Sequence, residues 1–368
     1  MIMYEILSAF EIDGDIISSS EYGHGHINKT YLVTTTQDKK YILQMINSNV
    51  FKKPRDVMEN IELVTNHIRQ KESQNGNDCT RCSLEIVNTK KGATHIKIRE
   101  NYWRCYKYID GARTHEKISD PIQFYEVGKA VGKFQVHLDD FPIEKLNITI
   151  PNFHNTPKRY ETFLRVAESD VYDRGLDIFN EIKFICDRQD DMKIIEDGLN
   201  NRTIPYRVTH NDTKLNNVML NEVSNEAICI IDLDTVMPGS VLYDFGDAIR
   251  VGASTAVEDE KDLNKIKIDF QLFELFTKGF LEVVHHLLKP AEIENLVTAA
   301  KIITLECGMR FLTDYLDGDR YFAIHYPEHN LVRARAQFKF VSEIEKNYHK
   351  LQAIVDKVIR ELKKNNIT

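Results

Sequence analysis

The stretch VTHNDTKLNN, residues 208–217, decides how the rest of the chain is interpreted. It places His210, Asp212 and Asn217 between two short apolar runs, residues 206–208 and 218–220. A turn between strands uses Asn and Asp to satisfy nearby backbone groups. It has no need of a histidine, an aspartate and an asparagine at this spacing. We therefore interpret the stretch as an active-site loop.

The residues that follow predict a β-hairpin. Apolar runs at 218–220 and 227–231 are separated by NEVSNE, which has the composition of a turn. Strands of a hairpin run antiparallel, so Asn217 before the first strand and Asp232 after the second lie at the same end. Asp212 lies in the loop leading to that end. Two carboxylates and one carboxamide should therefore meet, and such oxygen ligands suit Mg²⁺ when phosphates and waters complete its shell.

These residues match the parts of a phosphoryl-transfer site. Asp212 would orient an attacking hydroxyl and accept its proton. Asn217 and Asp232 would hold the metal ion. Asp234 could face the same way on an extended segment, so it is either an auxiliary metal ligand or a solvated carboxylate. The sequence leaves both alternatives open.

A second candidate metal string, YDFGD at 243–247, contains the D-F-G that protein kinases use for magnesium. Asp244, however, comes after a further turn, whereas Asp232 directly follows the apolar strand where a metal ligand belongs. We therefore expect Asp244 to be structural and to hydrogen-bond the catalytic-loop backbone. We also expect a structural role for His210.

The chain as a whole predicts an α+β fold with two lobes. Residues 1–106 contain short β-rich runs and one helix at 54–71, whose Val57, Ile61, Val64 and Ile68 recur at helical spacing. A short crossing at 107–111 leads to a larger, mainly helical lobe, residues 112–368. Apolar periodicity there predicts helices at 121–139, 157–169, 176–199, 260–288, 291–316 and 330–364.

Composition excludes several classes of protein. The net charge of −8 argues against nucleic acid, whose recognition usually needs a basic face. The sequence contains neither a secretion signal nor an apolar run of about 18 residues, so we expect a cytoplasmic protein without a membrane span. Cys79 and Cys82 form a C-x-x-C, but no second pair stands at the spacing of a structural zinc site.

The motifs resemble the aminoglycoside phosphotransferase and choline kinase group, which has a bilobal, protein-kinase-like fold. The resemblance runs through nearly the whole chain, and its most specific parts are HNDTKLNN at 210–217 and IDLDTVMPG at 231–239. Within the group, the sequence is most similar to N-acetylhexosamine 1-kinases, which use ATP and magnesium. The resemblance implies that Asp212 is the catalytic base, that Asn217, Asp232 and Asp234 are magnesium ligands, and that the enzyme works as a monomer.

The resemblance also implies a nucleotide site. The loop over the triphosphate would span residues 21–29, with Gly23, His24, Gly25 and Lys29. The backbone of Lys107 and Ile109 would pair with adenine at the crossing. Many relatives carry Lys or Arg on the third strand, but here the strand has Gln44. Gln44 can hydrogen-bond a phosphate without neutralising it, so Lys29 or a second magnesium would supply the positive charge.

For the acceptor, the resemblance points to RFLTDYLDGDRYF at 310–322, where Arg310, Asp314 and Tyr321 would join Asp212 at the sugar. Arg310 and Asp314 are four residues apart, so a surface ion pair is the alternative. Other acceptors remain open, namely an aminoglycoside, choline, homoserine or another sugar. So does an inactive nucleotide-binding regulatory protein. Arg310 favours a neutral polyol, because a cation would want an acidic or aromatic cage.

Overall fold

The computed structural model describes residues 2–23 and 27–365. The strands are β1 (Ile16–Glu21), β2 (Lys29–Thr35), β3 (Lys40–Ile46), β4 (Ile96–Ile98), β5 (Asn101–Lys107), β6 (Ala112–Arg113), β7 (Arg207–Thr209), β8 (Val218–Asn221), β9 (Ala227–Ile230) and β10 (Met237–Gly239). The α-helices are α1 (Ile2–Ser8), α2 (Pro54–Gln74), α3 (Pro121–Leu138), α4 (Thr156–Ser169), α5 (Phe179–Cys186), α6 (Ile194–Asn200), α7 (Val241–Gly252), α8 (Phe270–Val284), α9 (Pro290–Glu294), α10 (Leu296–Leu316), α11 (His329–Lys346) and α12 (Tyr348–Asn365).

A five-stranded antiparallel sheet forms most of the N-terminal lobe, in the order β1-β2-β3-β5-β4. Its apolar face packs against α1 and buries Val33, Leu43 and Trp103. β3 and β5 are neighbours although 54 residues, including α2, separate them in the chain. The sequence predicted a β-rich lobe followed by a mainly helical one, and the structure confirms this fold class.

Helix α2 belongs to a different core from α1, and it shares that core with Ile46 and Tyr106 of the sheet. It begins at Pro54, which suits a first helical turn. Its buried stripe of Val57, Ile61, Val64 and Ile68 lies in the same apolar cluster as the helices of the C-terminal lobe. The helix therefore connects the two lobes.

Helices α3 and α8 form the closest helix pair in the C-terminal lobe. A Cβ on Gly128 of α3 would lie 2.3 Å from the Phe276 carbonyl oxygen, and one on Gly279 of α8 would lie 2.1 Å from the Tyr125 carbonyl oxygen. Backbone cannot move aside as a flexible side chain can. The two glycines therefore set the separation of the helices, beneath the stacked rings of Phe276 and Phe280.

Gly279→Ala tests this packing. In an unobstructed helix interior the substitution raises stability by roughly 0.5–1 kcal/mol. Here we expect a loss of about 2 kcal/mol, because the new methyl group forces the helices apart. Thermal unfolding of the two proteins measures the difference. A higher Tm for the variant would contradict the close approach.

Two small sheets carry the residues around the predicted active-site loop. β6, β8 and β9 form one, and β7 pairs with β10 in the other. β8 and β9 pair antiparallel with Val218 opposite Ile230. The hairpin predicted from the sequence is confirmed.

Several helix boundaries differ from the predictions. The predicted helix at 176–199 consists of α5 and α6, because the polar run after Cys186 interrupts the apolar stripe. The one at 260–288 begins only at Phe270, where the Asp269 side chain caps the Leu272 amide. The last two predicted helices are each split, at Asn295 and Asn347. Residues 84–87, one of the short β-rich runs of residues 1–106, make one isolated bridge, between Ile86 and Tyr106.

None of the helices in the described ranges is long and apolar enough to cross a membrane. The six cysteines are all free thiols.

Candidate active site

The catalytic loop and the β8–β9 hairpin meet at one point. The Ile231 amide donates to the Asn217 carbonyl oxygen at 2.8 Å, which fixes the entry and exit of the hairpin side by side. The side-chain amide nitrogen of Asn217 donates to the Asp212 carbonyl oxygen at 2.8 Å and to the Asp212 carboxylate Oδ2 at 3.0 Å. Asp232 follows Ile231 in a left-handed conformation with φ 60°. The structure thus places the side chains of Asp212 and Asn217 in contact. Asp232 comes directly after Ile231, whose amide is bonded to Asn217.

A lysine that the sequence analysis did not select lies at the same point. The Lys214 ammonium is 3.0 Å from the Asp212 carboxylate. Burial alone would raise the pKa of Asp212, but Lys214 holds it below its ordinary value. Asp212 is therefore ionised at neutral pH and can accept a hydrogen bond from a hydroxyl. Lys214 comes two residues after Asp212 in an extended loop, and this spacing was the sequence signal that could have identified it.

The geometry suits a divalent cation. The Asp232 carboxylate accepts no hydrogen bond from the described part of the chain. Burial, followed by the charges of Asp234 and Asp212, raises the pKa of Asp232 to about 6. Because the Asn217 amide nitrogen faces Asp212, its oxygen remains for another partner. Within residues 2–23 and 27–365 no three His, Cys, Asp or Glu side chains form a metal site by themselves. An ion here would need the Asn217 oxygen and non-protein ligands, as magnesium with a nucleotide does.

Asp244 binds the backbone of the catalytic loop. Its Oδ1 accepts from the Asn211 amide at 2.7 Å, and its Oδ2 accepts from the His210 amide and the Gln135 side chain at 3.1 Å each. Its own carbonyl oxygen accepts from the Thr213 hydroxyl. These are the contacts that we predicted for Asp244. Burial raises its pKa to about 6 despite the donors around it.

His210 links the loop to the hairpin. Its Nε2 donates to the Ile231 carbonyl oxygen at 2.9 Å, and its Nδ1 accepts from the Asp212 amide at 3.2 Å. The ring is fully buried and lies edge-on to Phe134. His210 therefore holds the Asp212 backbone beside the hairpin, which is consistent with the structural role that the sequence suggested.

A buried ion pair, which the sequence gave no reason to expect, supports the loop from the other side. His154 Nδ1 donates to Glu306 at 2.8 Å, and its Nε2 donates to the Asn211 carbonyl oxygen at 2.9 Å. Glu306 also accepts from the Thr156 hydroxyl at 2.6 Å. Because both ring nitrogens donate, His154 is an imidazolium. Burial opposes this charge, but Glu306 raises the pKa of His154 above its ordinary value.

This pair predicts a pH-dependent stability. The stabilisation from His154 is complete below its unfolded-state pKa of about 6.5. It is lost as the pH rises through the higher folded-state pKa, because the neutral ring cannot donate from both nitrogens. Thermal unfolding from pH 6 to 9 should show this decline, and His154→Gln should remove it while lowering stability by about 3 kcal/mol. Parallel pH profiles for the two proteins would contradict the assignment.

Asp234 is not placed as a metal ligand, which corrects the prediction for this residue. Both of its oxygens are bound by Arg104, a buried residue of β5, with Nη2 and Oδ2 3.0 Å apart. The side-chain amide of Asn28 also donates to Asp234 Oδ2, at 2.6 Å. A carboxylate held by these donors has its charge compensated without a metal. Sequence inspection missed Arg104 because it stands within an apolar strand pattern.

The predicted nucleotide residues have different environments. Gly23 has φ 76° and open space around it, and Lys29 is exposed at the start of β2. Gln44 donates to the Thr30 hydroxyl and accepts from Arg104 Nε, both at 3.0 Å. The amide of Lys107 donates to the Glu85 carbonyl oxygen, and Ile109 is buried at the crossing. His24 and Gly25 lie outside the described residues.

The predicted acceptor residues divide into two kinds. Arg310 lies half-buried over the rings of Phe153, Tyr321 and Phe322, 5.2–5.9 Å from their centres. Tyr321 is 54% exposed and therefore accessible. The substrate-binding prediction for Asp314 needs correction. Its carboxylate accepts from the backbone amides of residues 320–322 and from Asn330, so it organises its own loop and has no oxygen free for a ligand.

Comparison with known proteins agrees with this architecture. A solved microcompartment-associated aminopropanol kinase is 13% identical, with a TM-score of 0.59 over 95% of this chain and 98% of that chain. An ethanolamine kinase from Plasmodium vivax is 15% identical, with a TM-score of 0.57 over 87% and 82%. An amicoumacin kinase, in complex with AMP-PNP, Ca²⁺ and Ami, is 14% identical, with a TM-score of 0.57 over 94% and 93%. At these identities the likeness concerns the fold alone.

The sequence model of the phosphotransferase enzyme family matches residues 19–264, a span that contains β2, β3 and β5, the catalytic loop and the β8–β9 hairpin. The match covers well over half of the chain. The protein therefore belongs to the phosphotransferase enzyme family and is a phosphotransferase that acts on a small hydroxyl-bearing molecule.

Proposed function

We propose that the protein transfers the γ-phosphoryl group of ATP, with Mg²⁺, to the anomeric hydroxyl of an N-acetylhexosamine. The observation that carries the proposal is the contact of Asn217 with the Asp212 carboxylate at 3.0 Å, beside the end of β9, two residues before Asp232. ATP would lie between the sheet of residues 1–106 and the lobe of residues 112–368, with adenine at the crossing of residues 107–111. Transfer of this kind depends on positioning and charge stabilisation more than on covalent chemistry.

Each residue has a defined part in this mechanism. Asp212 would accept a hydrogen bond from the acceptor hydroxyl, orient it towards the γ-phosphorus and take its proton as the new P–O bond forms and the bond from the γ-phosphorus to the β–γ bridging oxygen breaks, with ADP as the leaving group. Lys214, next to Asp212, would offset negative charge that develops on the transferred group. Asn217 and Asp232 would hold Mg²⁺, which neutralises charge on the phosphates when bound. An anomeric hydroxyl is more acidic than an ordinary alcohol, so a carboxylate base suffices.

The charge around Arg310 supports a neutral or electron-rich acceptor. No carboxylate within 4.0 Å pairs with the Arg310 guanidinium in the described part of the chain. A second arginine is close, since burial and the charge of Arg310 lower the pKa of Arg159. Phe153, beneath Arg310, adjoins His154 and hence the catalytic loop. Two guanidinium groups would repel choline or an aminoglycoside, whereas they can donate to a carbonyl or a hydroxyl oxygen.

One assay tests the proposal. The protein is incubated with ATP, Mg²⁺ and a panel of N-acetylhexosamines, other sugars, choline, homoserine and aminoglycosides, and phosphorus NMR identifies the product. A sugar 1-phosphate supports the proposal. A 6-phosphate overturns the proposed acceptor position, and a phosphorylated amine or antibiotic overturns the acceptor class. Binding of Mg·ATP without transfer to any acceptor would favour a regulatory protein.

Arg310→Gln tests the acceptor contact separately. The variant should raise KM for the acceptor about tenfold, the loss expected for one charge-assisted hydrogen bond, and leave KM for ATP unchanged. Arg320→Gln is the matched control, because Arg320 lies just after the end of α10, the helix that carries Arg310, with a side chain that is 63% exposed. Equal effects of the two substitutions would remove Arg310 from the acceptor site.

A further inference from the structure

The third strand lacks the cation that many relatives carry, yet a cation occupies the neighbouring position of the sheet. Gln44 of β3 stands directly opposite Arg104 of β5. Side chains of directly paired residues project from the same face of a sheet. Arg104 therefore points to the same side as Gln44, and its Nε donates to the Gln44 amide oxygen at 3.0 Å.

Helix α2 supplies no acidic partner at this position. Met58 faces Arg104, with its sulfur 3.9 Å from the guanidinium. Glu59 and Glu62 are exposed, and Glu59 instead accepts from the Asn147 side chain at 2.9 Å. The partner of Arg104 is Asp234, which comes from the other lobe.

Asp234 lies in the short helical turn Leu233–Thr235, directly after Asp232. Its carboxylate is bound by both terminal nitrogens of Arg104 and by the side chain of Asn28, the residue directly before β2. Asn28 in turn accepts from the Asn47 amide beyond β3. One carboxylate thus connects β5, the residue before β2 and the turn that follows Asp232.

The burial of this pair is the unusual feature. The side chains of Arg104 and Asp234 are 1% and 3% exposed. A buried ion pair commonly adds no more stability than a well-packed apolar pair, because both charges must lose their water. Nε and both terminal nitrogens of Arg104 are bonded to Gln44 or Asp234, and its side chain is 1% exposed, so Arg104 is not placed to contact a phosphate. Its contacts suit a positioning residue.

We propose that the Arg104–Asp234 pair positions Asp232 and Asn28 for Mg·ATP, and that it replaces, from β5 and across the lobes, an ion pair between the third strand and α2. This inference rests on the proposed function. It assigns Asp234 a positioning role in place of metal ligation and explains how the site functions with Gln44 on the third strand.

The test separates positioning from stability. Arg104→Met leaves a buried carboxylate without its partner and should lower Tm. The double variant Arg104→Met/Asp234→Leu replaces the pair by apolar groups, so it should recover most of the lost Tm. Calorimetric titration then measures ATP binding with and without Mg²⁺. We expect the double variant to bind Mg·ATP about tenfold more weakly, and ATP without metal as the wild type does, because outer contacts of a metal site typically contribute that much.

A second buried pair serves as the control. Arg207 and Glu292, whose side chains are 11% and 0% exposed, form an ion pair in the C-terminal lobe. Arg207→Met/Glu292→Leu should leave the effect of Mg²⁺ on ATP binding unchanged. Full Mg²⁺-dependent affinity in the Arg104→Met/Asp234→Leu variant would overturn the inference while the proposed function stands. A wild-type protein that binds no Mg·ATP would overturn both.

Discussion

Asp212→Asn should lower kcat by about 10³-fold, the scale at which a positioned general base contributes. The substitution keeps the shape of the side chain and removes its capacity to accept the hydroxyl proton. It also ends the attraction between the carboxylate and Lys214, whose ammonium lies 3.0 Å away. Steady-state kinetics with the acceptor identified by the panel assay measures the loss.

ATP binding and folding should be nearly unaffected in this variant. The Asn217 amide still reaches the Asp212 carbonyl oxygen at 2.8 Å, which keeps the loop closed. Asp187→Asn is the control, because Asp187 is an exposed partner of Lys183 at the end of α5. Turnover within a few-fold of the wild type would rule out Asp212 as the base.

The catalytic end of the site was predictable because its determinants are local. HNDTKLNN and the next apolar runs specify a loop and a hairpin within 25 residues, and a hairpin fixes which ends meet. The pairing of Val218 with Ile230 follows from that pattern alone. The same reasoning separated Asp244 from Asp232, since Asp232 directly follows an apolar strand and Asp244 comes after a further turn.

The remaining contacts depend on chain segments that are far apart. Arg104 meets Asp234 across 130 residues, and only the register of β3 against β5 brings it beside Gln44. His154 reaches Glu306 across 152 residues. No periodic pattern in the sequence predicts contacts between residues so far apart in the chain. Asp314 was misread for a related reason, because a helix position gives no sign that the carboxylate will bind the backbone of the loop after it.

Asp244→Asn should destabilise the protein by roughly 3 kcal/mol and reduce turnover by about 10²-fold. The carboxylate accepts from the amides of His210 and Asn211, one on each oxygen. An asparagine must turn its NH₂ group towards one of these amides, so one buried donor loses its acceptor and the charge-assisted bonds weaken. The loop that carries Asp212 would then shift, and a displacement of about 1 Å at a reacting group can cost that much in rate.

The two aspartate variants should therefore behave differently, although Asp244 is bonded to the loop that carries Asp212. Asp212→Asn loses turnover at nearly constant Tm, whereas Asp244→Asn loses turnover and Tm together, because Asp244 acts through the backbone that it holds. Thermal unfolding and kinetics on the same preparations distinguish the two patterns. An Asp244→Asn protein with wild-type Tm would show that the buried carboxylate does not support the loop, and one with normal Mg·ATP affinity but no turnover at wild-type Tm would instead place Asp244 among the reacting groups.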